Sequence, residues 1–298
     1  MATQNAIRIY KDATAIITGG ASGIGRAMAE ELVARGCEVV LADLQIEAAE
    51  EVAAKIRAAG GKAEAAKLDV TDYGALEKIV QDTVKRTGRL DYMFNNAGIS
   101  HAMGAGAEHY SIEDWRHVIN VNLIGVINGV QAAYKLMINQ GFGHIVNTAS
   151  MAGLVPSPGT TSYVTTKHAI VGLSNNLRAE AAQLGVRVSV LCPGVIRTPL
   201  IEGGKYGRKI FEMSQEQYRE MWEKRNPMSP EDFARKALDA VAKNHAIIIL
   251  PSSWKLFWWI YRLSPSFCLY IAEKSFKDIG RSGVRLVPEK ASDAQSVG

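Results

Sequence analysis

Residues 13–25 read ATAIITGGASGIG: a short apolar run, a glycine-rich turn, and the start of a periodic stretch. The run 13–18 shows no alternation of apolar and polar residues, the pattern of a strand covered on both faces. Beyond the turn, Ile24, Met28, Leu32 and Val33 form one apolar stripe at helical spacing, and Gly36 ends it as a helix C-cap should. Within the turn, Gly19 allows a sharp bend, Gly23 lets backbone approach a pyrophosphate, and Gly25 permits close helix–strand packing. The helix N-terminus then offers free N–H groups and a partial positive charge. A glycine turn between a strand and a helix is a dinucleotide-binding signature.

The same rhythm extends outward. Further strands are expected at 38–42, 90–94, 144–149, 186–191 and 246–250, each rich in β-branched or other apolar residues. The stretch 62–68 is mostly alanine and is assigned as a strand from its position. Helices are expected over 24–35, 46–59 and 72–87, the last two ended by Gly60-Gly61 and Gly88. Right-handed strand–helix–strand crossovers then require an α/β, three-layer Rossmann fold with a doubly wound parallel seven-stranded sheet. The expected organisation is a dinucleotide-binding catalytic domain over 1–251, an aromatic-rich C-terminal helical appendix over 252–280, and a polar, disordered tail over 281–298. Residues 194–228 break the rhythm and contain Gly203-Gly204 and Asn226-Pro227.

Composition narrows the class. The 298 residues are 47% hydrophobic, and 34 basic against 30 acidic side chains leave a net charge of +4. No basic stripe with interleaved aromatics is present, so nucleic acid is not an expected partner. Cys37, Cys192 and Cys268 are widely spaced and odd in number, which fits a reducing compartment rather than a disulfide framework. The first residues show no secretory pattern, and a cytoplasmic location is expected. His101, His109 and His117 recur every eighth residue, a spacing that builds no tight metal site.

Asp43 closes the second strand, 18 residues beyond Gly25. A carboxylate there can accept both ribose hydroxyls of an adenosine. It also repels a 2′-phosphate by roughly 4 kcal/mol, taking ~4 Å and an effective dielectric of ~20. Neither Ser22 nor Leu44 offers a compensating cation, so NAD is the expected cofactor.

Tyr163 and Lys167 are one helical turn apart and project on one face. A free phenol is a poor base at neutral pH, but a cation within ~4–6 Å favours phenolate. Tyr163 thereby becomes a candidate general acid/base. Ser150 ends the fifth strand, 13 residues before it, where a hydroxyl can bond a substrate oxygen. Asn95-Asn96-Ala97-Gly98 follows the fourth strand, and Asn122 lies in the helical pattern between.

Taken together, TGGASGIG, Asp69-Val70, NNAG at 95–98, Asn122 within NVNL, Ser150, YVTTK at 163–167, and Pro193-Gly194 with Thr198 resemble the short-chain dehydrogenase/reductase family over residues 12 to about 251. The resemblance implies that Tyr163 is the acid/base and that Lys167 lowers its pKa and holds the nicotinamide ribose. It implies that Ser150 orients the carbonyl and that Asn122 holds a water linking Lys167 to solvent. It also implies cofactor contacts from Gly19, Ser22, Gly23, Ile24, Gly25, Asp43 and Leu44 on the phosphate and adenosine side. Asp69 and Val70 are implied at adenine, Asn95 and Gly98 on the ribose side, and Ile196 with Thr198 at the carboxamide, with Ala97, Pro193, Gly194, Tyr163 and Lys167 as further cofactor contacts. A homodimer or homotetramer is the implied assembly.

The substrate end is less informative. Met151, Leu154, Val155 and Ile201 are candidates for an apolar cleft, and Lys205, Arg208 and Lys209 for a solvated lid. The segment WKLFWWIYRLSPSFCLYIAEKSFKD, 254–278, is unusually aromatic. It has ~11 helical residues before Pro265, about 17 Å against ~30 Å of hydrocarbon, and does not span. It can pack on the core or a partner subunit, lie in a membrane interface, or cap the cleft. The expected activity is NAD-dependent hydride transfer between an apolar secondary alcohol and its ketone. The rival is a membrane-surface, NAD-binding scaffold without turnover.

Overall fold

In the computed structural model, which describes residues 6–100, 106–200, 216, 220 and 222–281, alternate residues of each central strand enter two different cores. In β1 (Thr14–Thr18), Ala15 and Ile17 face one way and Ile16 the other. In β2 (Glu38–Asp43), Val39 and Leu41 oppose Val40 and Ala42. That period of two, with apolar residues at every position, is why neither strand alternates in sequence.

The first layer consists of α1 (Gly23–Ala34), α2 (Ile46–Ala58) and α7 (Pro230–Ala242). They supply Met28, Leu32, Val52, Ile56, Phe233 and Leu238 to one core. The opposite layer consists of α3 (Tyr73–Thr87), α5 (Gly125–Gln140) and α6 (Thr161–Ala181), with Leu76, Val80, Val130, Met137, Ile170 and Leu177. Each fully buried Leu or Ile contributes about 1.5–3 kcal/mol relative to exposure.

With β3 (Ala63–Lys67), β4 (Tyr92–Asn95), β5 (Gly143–Thr148), β6 (Val186–Pro193) and β7 (Ile247–Leu250), the sheet order is β3-β2-β1-β4-β5-β6-β7, all parallel. The seven-stranded doubly wound sheet expected from the sequence is therefore present. β3 is an edge strand whose five residues are half-buried or exposed, so alanine and charge suffice there. Between β1 and β4 the strand order reverses direction, opening a crevice at the carboxyl ends.

Helix ends follow local chemistry. Asp72 accepts the Ala75 N–H at 3.0 Å to start α3, and Gly88 ends it at φ 77°. The helix α4 (Ile112–Ile119) begins on a reciprocal capping box between Ser111 and Asp114. α4 passes into α5 through one π-helical turn, Asn120–Ile124, so Asn122 sits in an i→i+5 turn that a 3.6-residue pattern does not disclose. The joined helix Ile112–Gln140 is long and apolar enough to cross a membrane by length and composition, but half of its most apolar window is buried inside the protein.

After β7 come α8 (Trp254–Leu263) and α9 (Pro265–Arg281). Trp254, Phe257, Trp258 and Tyr261 of α8 pack on the α3/α5/α6-side core. The sequence alternative of packing on the core is thus realised by one face of α8. Ile201, the cluster Lys205, Arg208 and Lys209, and the tail beyond residue 281 lie outside the described residues.

Inside β5, His144 is fully buried with Nε2 2.9 Å from Ser189 Oγ, and its Nδ1 has no partner. Burial, with Arg187 and Arg178 adding like charge, pushes its pKa down to about 3. The unfolded chain therefore binds a proton below pH ~6.5 that the folded chain refuses, and stability falls as pH drops from there toward 3. We expect His144→Gln to lose about 1–2 kcal/mol less than the wild type between pH ~6.5 and ~5, measured by urea denaturation across that range. Parallel pH profiles for the two proteins would contradict this account.

Candidate active site

A cavity of about 560 Å³ opens along the carboxyl ends of the strands. At one end lies the glycine turn. Gly19 and Gly23 take φ of 67° and 53°, conformations that favour glycine. A Cβ on Gly23 would press Thr198 at 3.2 Å, so this glycine keeps the gap between the turn and the Pro193–Thr198 segment open. Ser22 is the N-cap of α1 but makes no side-chain cap bond, which leaves the first-turn N–H groups for a ligand anion. Gly25 does not line the cavity. It sits where any Cβ would collide with the Gly19 carbonyl, so its role is close packing.

Asp43 lines the same end, 8% exposed, with Oδ2 accepting the Ala21 N–H and Oδ1 accepting the Gln45 N–H, both at 2.9 Å. A carboxylate has about four lone-pair sites, so acceptor capacity remains for two more donors. Leu44, Asp69 and Val70 line the neighbouring wall.

The NNAG segment is tied to the glycine turn through Thr18, whose hydroxyl accepts the N–H groups of Asn96 and Ala97 at 3.0 and 3.1 Å. The structure corrects the expectation for Asn95. Its side chain is buried away from the cavity and donates to Asn147 Oδ1 at 2.9 Å, because the last residue of β4 points into the sheet-side core. Asn96, Ala97 and Gly98 line the cavity instead.

Ser150, at the end of β5, Tyr163 and Lys167, in the first turns of α6, meet at the other end. Lys167 is 3% exposed and donates to the Thr148 carbonyl at 2.9 Å, with Nζ 5.3 Å from the Tyr163 ring centre. Burial pulls the Lys167 pKa down to about 8. Tyr163 lies half-buried in the cavity wall, which Ser150 also lines. Burial pushes its pKa up to about 12, against the lowering effect of the Ser150 hydroxyl. Desolvation of the phenol, rather than the charge of Lys167, governs its pKa in the protein alone.

Asn122 is fully buried and does not reach the cavity. Its Oδ1 accepts the Ile99 N–H at 2.8 Å and its Nδ2 donates to the Ile99 carbonyl at 2.9 Å. These two bonds fix the loop after β4. A Cβ on Gly98 would lie 3.3 Å from Asn122 Oδ1 and 3.5 Å from Lys167 Nζ, so these three residues converge behind the wall. Pro193, Gly194, Ile196 and Thr198 line the cavity as the sequence suggests.

At the substrate end, Met151, Leu154 and Val155 are buried in the core, not on the cleft, since the 3₁₀ turn Met151–Gly153 folds back against α6. Ile99, Pro199 and Leu200 take that place on the wall. The sequence reading missed these, along with Asn96 and Thr148. Asn96 had a signal as part of the NNAG quartet, whereas Thr148 acts through a backbone carbonyl that any residue carries. Cys192 lies beside the centre, fully buried, its thiol pKa pushed up to about 12 by that burial.

A parallel doubly wound sheet with a glycine turn at one end of its crevice and Ser150, Tyr163 and Lys167 at the other defines a Rossmann-fold oxidoreductase site. The model of the short chain dehydrogenase family matches residues 13–205, and the chain belongs to that family. It is 40% identical to a cyclohexanol dehydrogenase from Acinetobacter sp. over 192 residues, 64% of this chain and 76% of the relative. It is also 40% identical to a 2,5-dichloro-2,5-cyclohexadiene-1,4-diol dehydrogenase from Sphingobium indicum over 186 residues, 62% of this chain and 74% of that one. A short-chain dehydrogenase/reductase from Burkholderia phymatum, crystallised in complex with NAD, superposes with a TM-score of 0.78 at 27% identity, covering 88% of this chain and 96% of that one.

The lowered pKa of Lys167 has a stability consequence. Between about 8 and 10.5 the unfolded chain keeps a proton that the folded chain releases, so stability rises with pH across that window and is reduced below it. Lys167→Met should raise the stability of the cofactor-free protein at pH ~7 by on the order of 2 kcal/mol and flatten that rise. Thermal unfolding at several pH values checks it, and a variant less stable than wild type would contradict it.

Proposed function

We propose that this oxidoreductase interconverts an apolar, compact secondary alcohol and its ketone with NAD, using Tyr163 as general acid/base. The observation that carries the reading is that Ser150, Tyr163 and Lys167 line one end of the same cavity whose other end holds Asp43. The relatives named for cyclohexanol and for a chlorinated cyclohexadienediol support a ring-sized substrate, and the apolar wall of Ile99, Pro199 and Leu200 suits one.

The dinucleotide fits on this structure's own evidence: a glycine turn at positive φ, an N-cap serine that accepts no backbone N–H, and a carboxylate with spare lone pairs. Bound NAD supplies the hydride acceptor. In oxidation, the substrate hydroxyl gives its proton to the Tyr163 oxygen while Ser150 donates to the substrate oxygen. Lys167, beside the phenol ring, favours the anionic form whenever it carries its proton. Asn122 positions Ile99 and the wall around Lys167 through its paired bonds to that backbone. Convergence of Ser150, Tyr163 and Lys167 on one cavity supports turnover rather than a non-catalytic scaffold.

Cofactor preference rests on charge. Among the described residues lining the cavity, Lys167 is the one Lys or Arg, and it lies with Tyr163 rather than Asp43. A 2′-phosphate near Asp43 would meet a carboxylate with no cation on the cavity wall there.

Tyr163→Phe should lower kcat for a cyclic secondary alcohol by about 10²–10⁴-fold, the usual contribution of a general acid/base, while NAD affinity stays within about threefold. Following NADH absorbance across a series of cyclic alcohols checks the first, and calorimetry the second. Retained turnover would remove Tyr163 from the mechanism. Asp43→Asn should raise kcat/KM for NADP at least tenfold relative to NAD, since even part of a repulsion of roughly 4 kcal/mol exceeds the 1.4 kcal/mol in a factor of ten. An unchanged ratio would mean that Asp43 does not set the preference.

A further inference from the structure

The two C-terminal helices leave one apolar face uncovered. On α8, Leu256, Trp259 and Leu263 are 69%, 54% and 82% exposed, on the side opposite the inward Phe257 and Tyr261. On α9, Phe267, Tyr270 and Ile271 are likewise exposed, while Cys268 faces in. Between Trp254 and Lys277 the chain carries Lys255, Arg262, Lys274 and Lys277 against one acid, Glu273, and all five are exposed. Arg262 lies over both Trp258 and Trp259, and Lys274 over Tyr270, at 5.0–5.8 Å from the ring centres.

We infer that this face docks the protein on the surface of an anionic lipid bilayer. Large apolar and aromatic side chains beside Lys and Arg, with net positive charge, match the interface of hydrocarbon and acidic headgroups. Lys274 shares the exposed face of α9 with Phe267 and Tyr270. A long ammonium can snorkel to headgroups from such a place, whereas charge is depleted at the core of a protein–protein interface. The two helices lie in the surface plane and do not cross it, because Pro265 divides them and each carries charge. Docking also reaches the catalytic cavity. Trp254 covers Gly194, where any Cβ would collide with the indole, and Gly194 lines the cavity wall. One side chain therefore separates the lipid-facing helix from the site.

The test uses the full chain with sedimented vesicles, either pure phosphatidylcholine or a mixture with phosphatidylglycerol. We expect binding to the mixed vesicles with a blue shift of tryptophan emission, at least tenfold weaker on phosphatidylcholine and weakened by salt. Leu256→Glu/Leu263→Glu should abolish binding while far-UV dichroism and NAD binding are kept. Arg262→Glu should weaken it about tenfold or more, at ~1 kcal/mol per basic residue and tenfold per 1.4 kcal/mol. No binding, equal binding to both vesicles, or binding insensitive to these variants would overturn the inference. So would a lipid-free dimer that Leu256→Glu/Leu263→Glu splits in sedimentation equilibrium, since the face would then belong to a second copy.

Discussion

An ammonium group in a dry place organises one end of the cavity. Lys167 Nζ is nearly inaccessible, held by the Thr148 carbonyl at the end of β5 and packed beside the Tyr163 ring. Burying a charge is costly unless polar groups surround it, so the nearby backbone must be fixed with care. Asn122 fixes Ile99, Thr18 fixes Asn96 and Ala97, and Gly98 leaves room for Asn122 and Lys167 to approach. The same dryness moves both titrating groups toward their neutral forms, the phenol up and the ammonium down. A positive charge entering the cavity would lower the phenol's pKa, the direction opposite to the shift that burial gives it.

The sheet makes that arrangement possible. Because every strand is parallel and both faces are covered, all carboxyl ends emerge on one side, and the reversal of order between β1 and β4 leaves a crevice there. The glycine turn follows β1, Asp43 ends β2, NNAG begins on β4, Ser150 follows β5, and Pro193-Gly194 follows β6. Five segments far apart in sequence thus contribute to one cavity with α6, whose first turns bring Tyr163 and Lys167 to the end of β5. The opposite, amino-end side is held by other means, including buried Asp91, which accepts from the backbone of Arg8 and Thr14 and from the Arg89 guanidinium.

The C-terminal helices illustrate how one aromatic segment serves two environments. The inner residues of α8 complete a core, and its outer residues remain in solvent, so the extreme hydrophobicity of 254–263 has a structural part and an unpartnered part. Trp254 joins that segment to the cavity wall through Gly194.

Local chemistry in the chain determined the strands, the helix stops and the glycine turn, because apolar runs, caps and positive-φ glycines act within a few residues. It also determined the pairing of Tyr163 with Lys167, which one helical turn imposes. Tertiary structure alone decided what depends on which way a side chain points at a strand end or irregular turn. Asn95 turned into the core while Asn96 faced the cavity, Asn122 fell in a π turn, and Met151, Leu154 and Val155 folded inward while Ile99 and Leu200 took the wall. The same holds for the balance of charges at Tyr163, since a four-residue spacing reports proximity to an ammonium but not how much water is excluded around them.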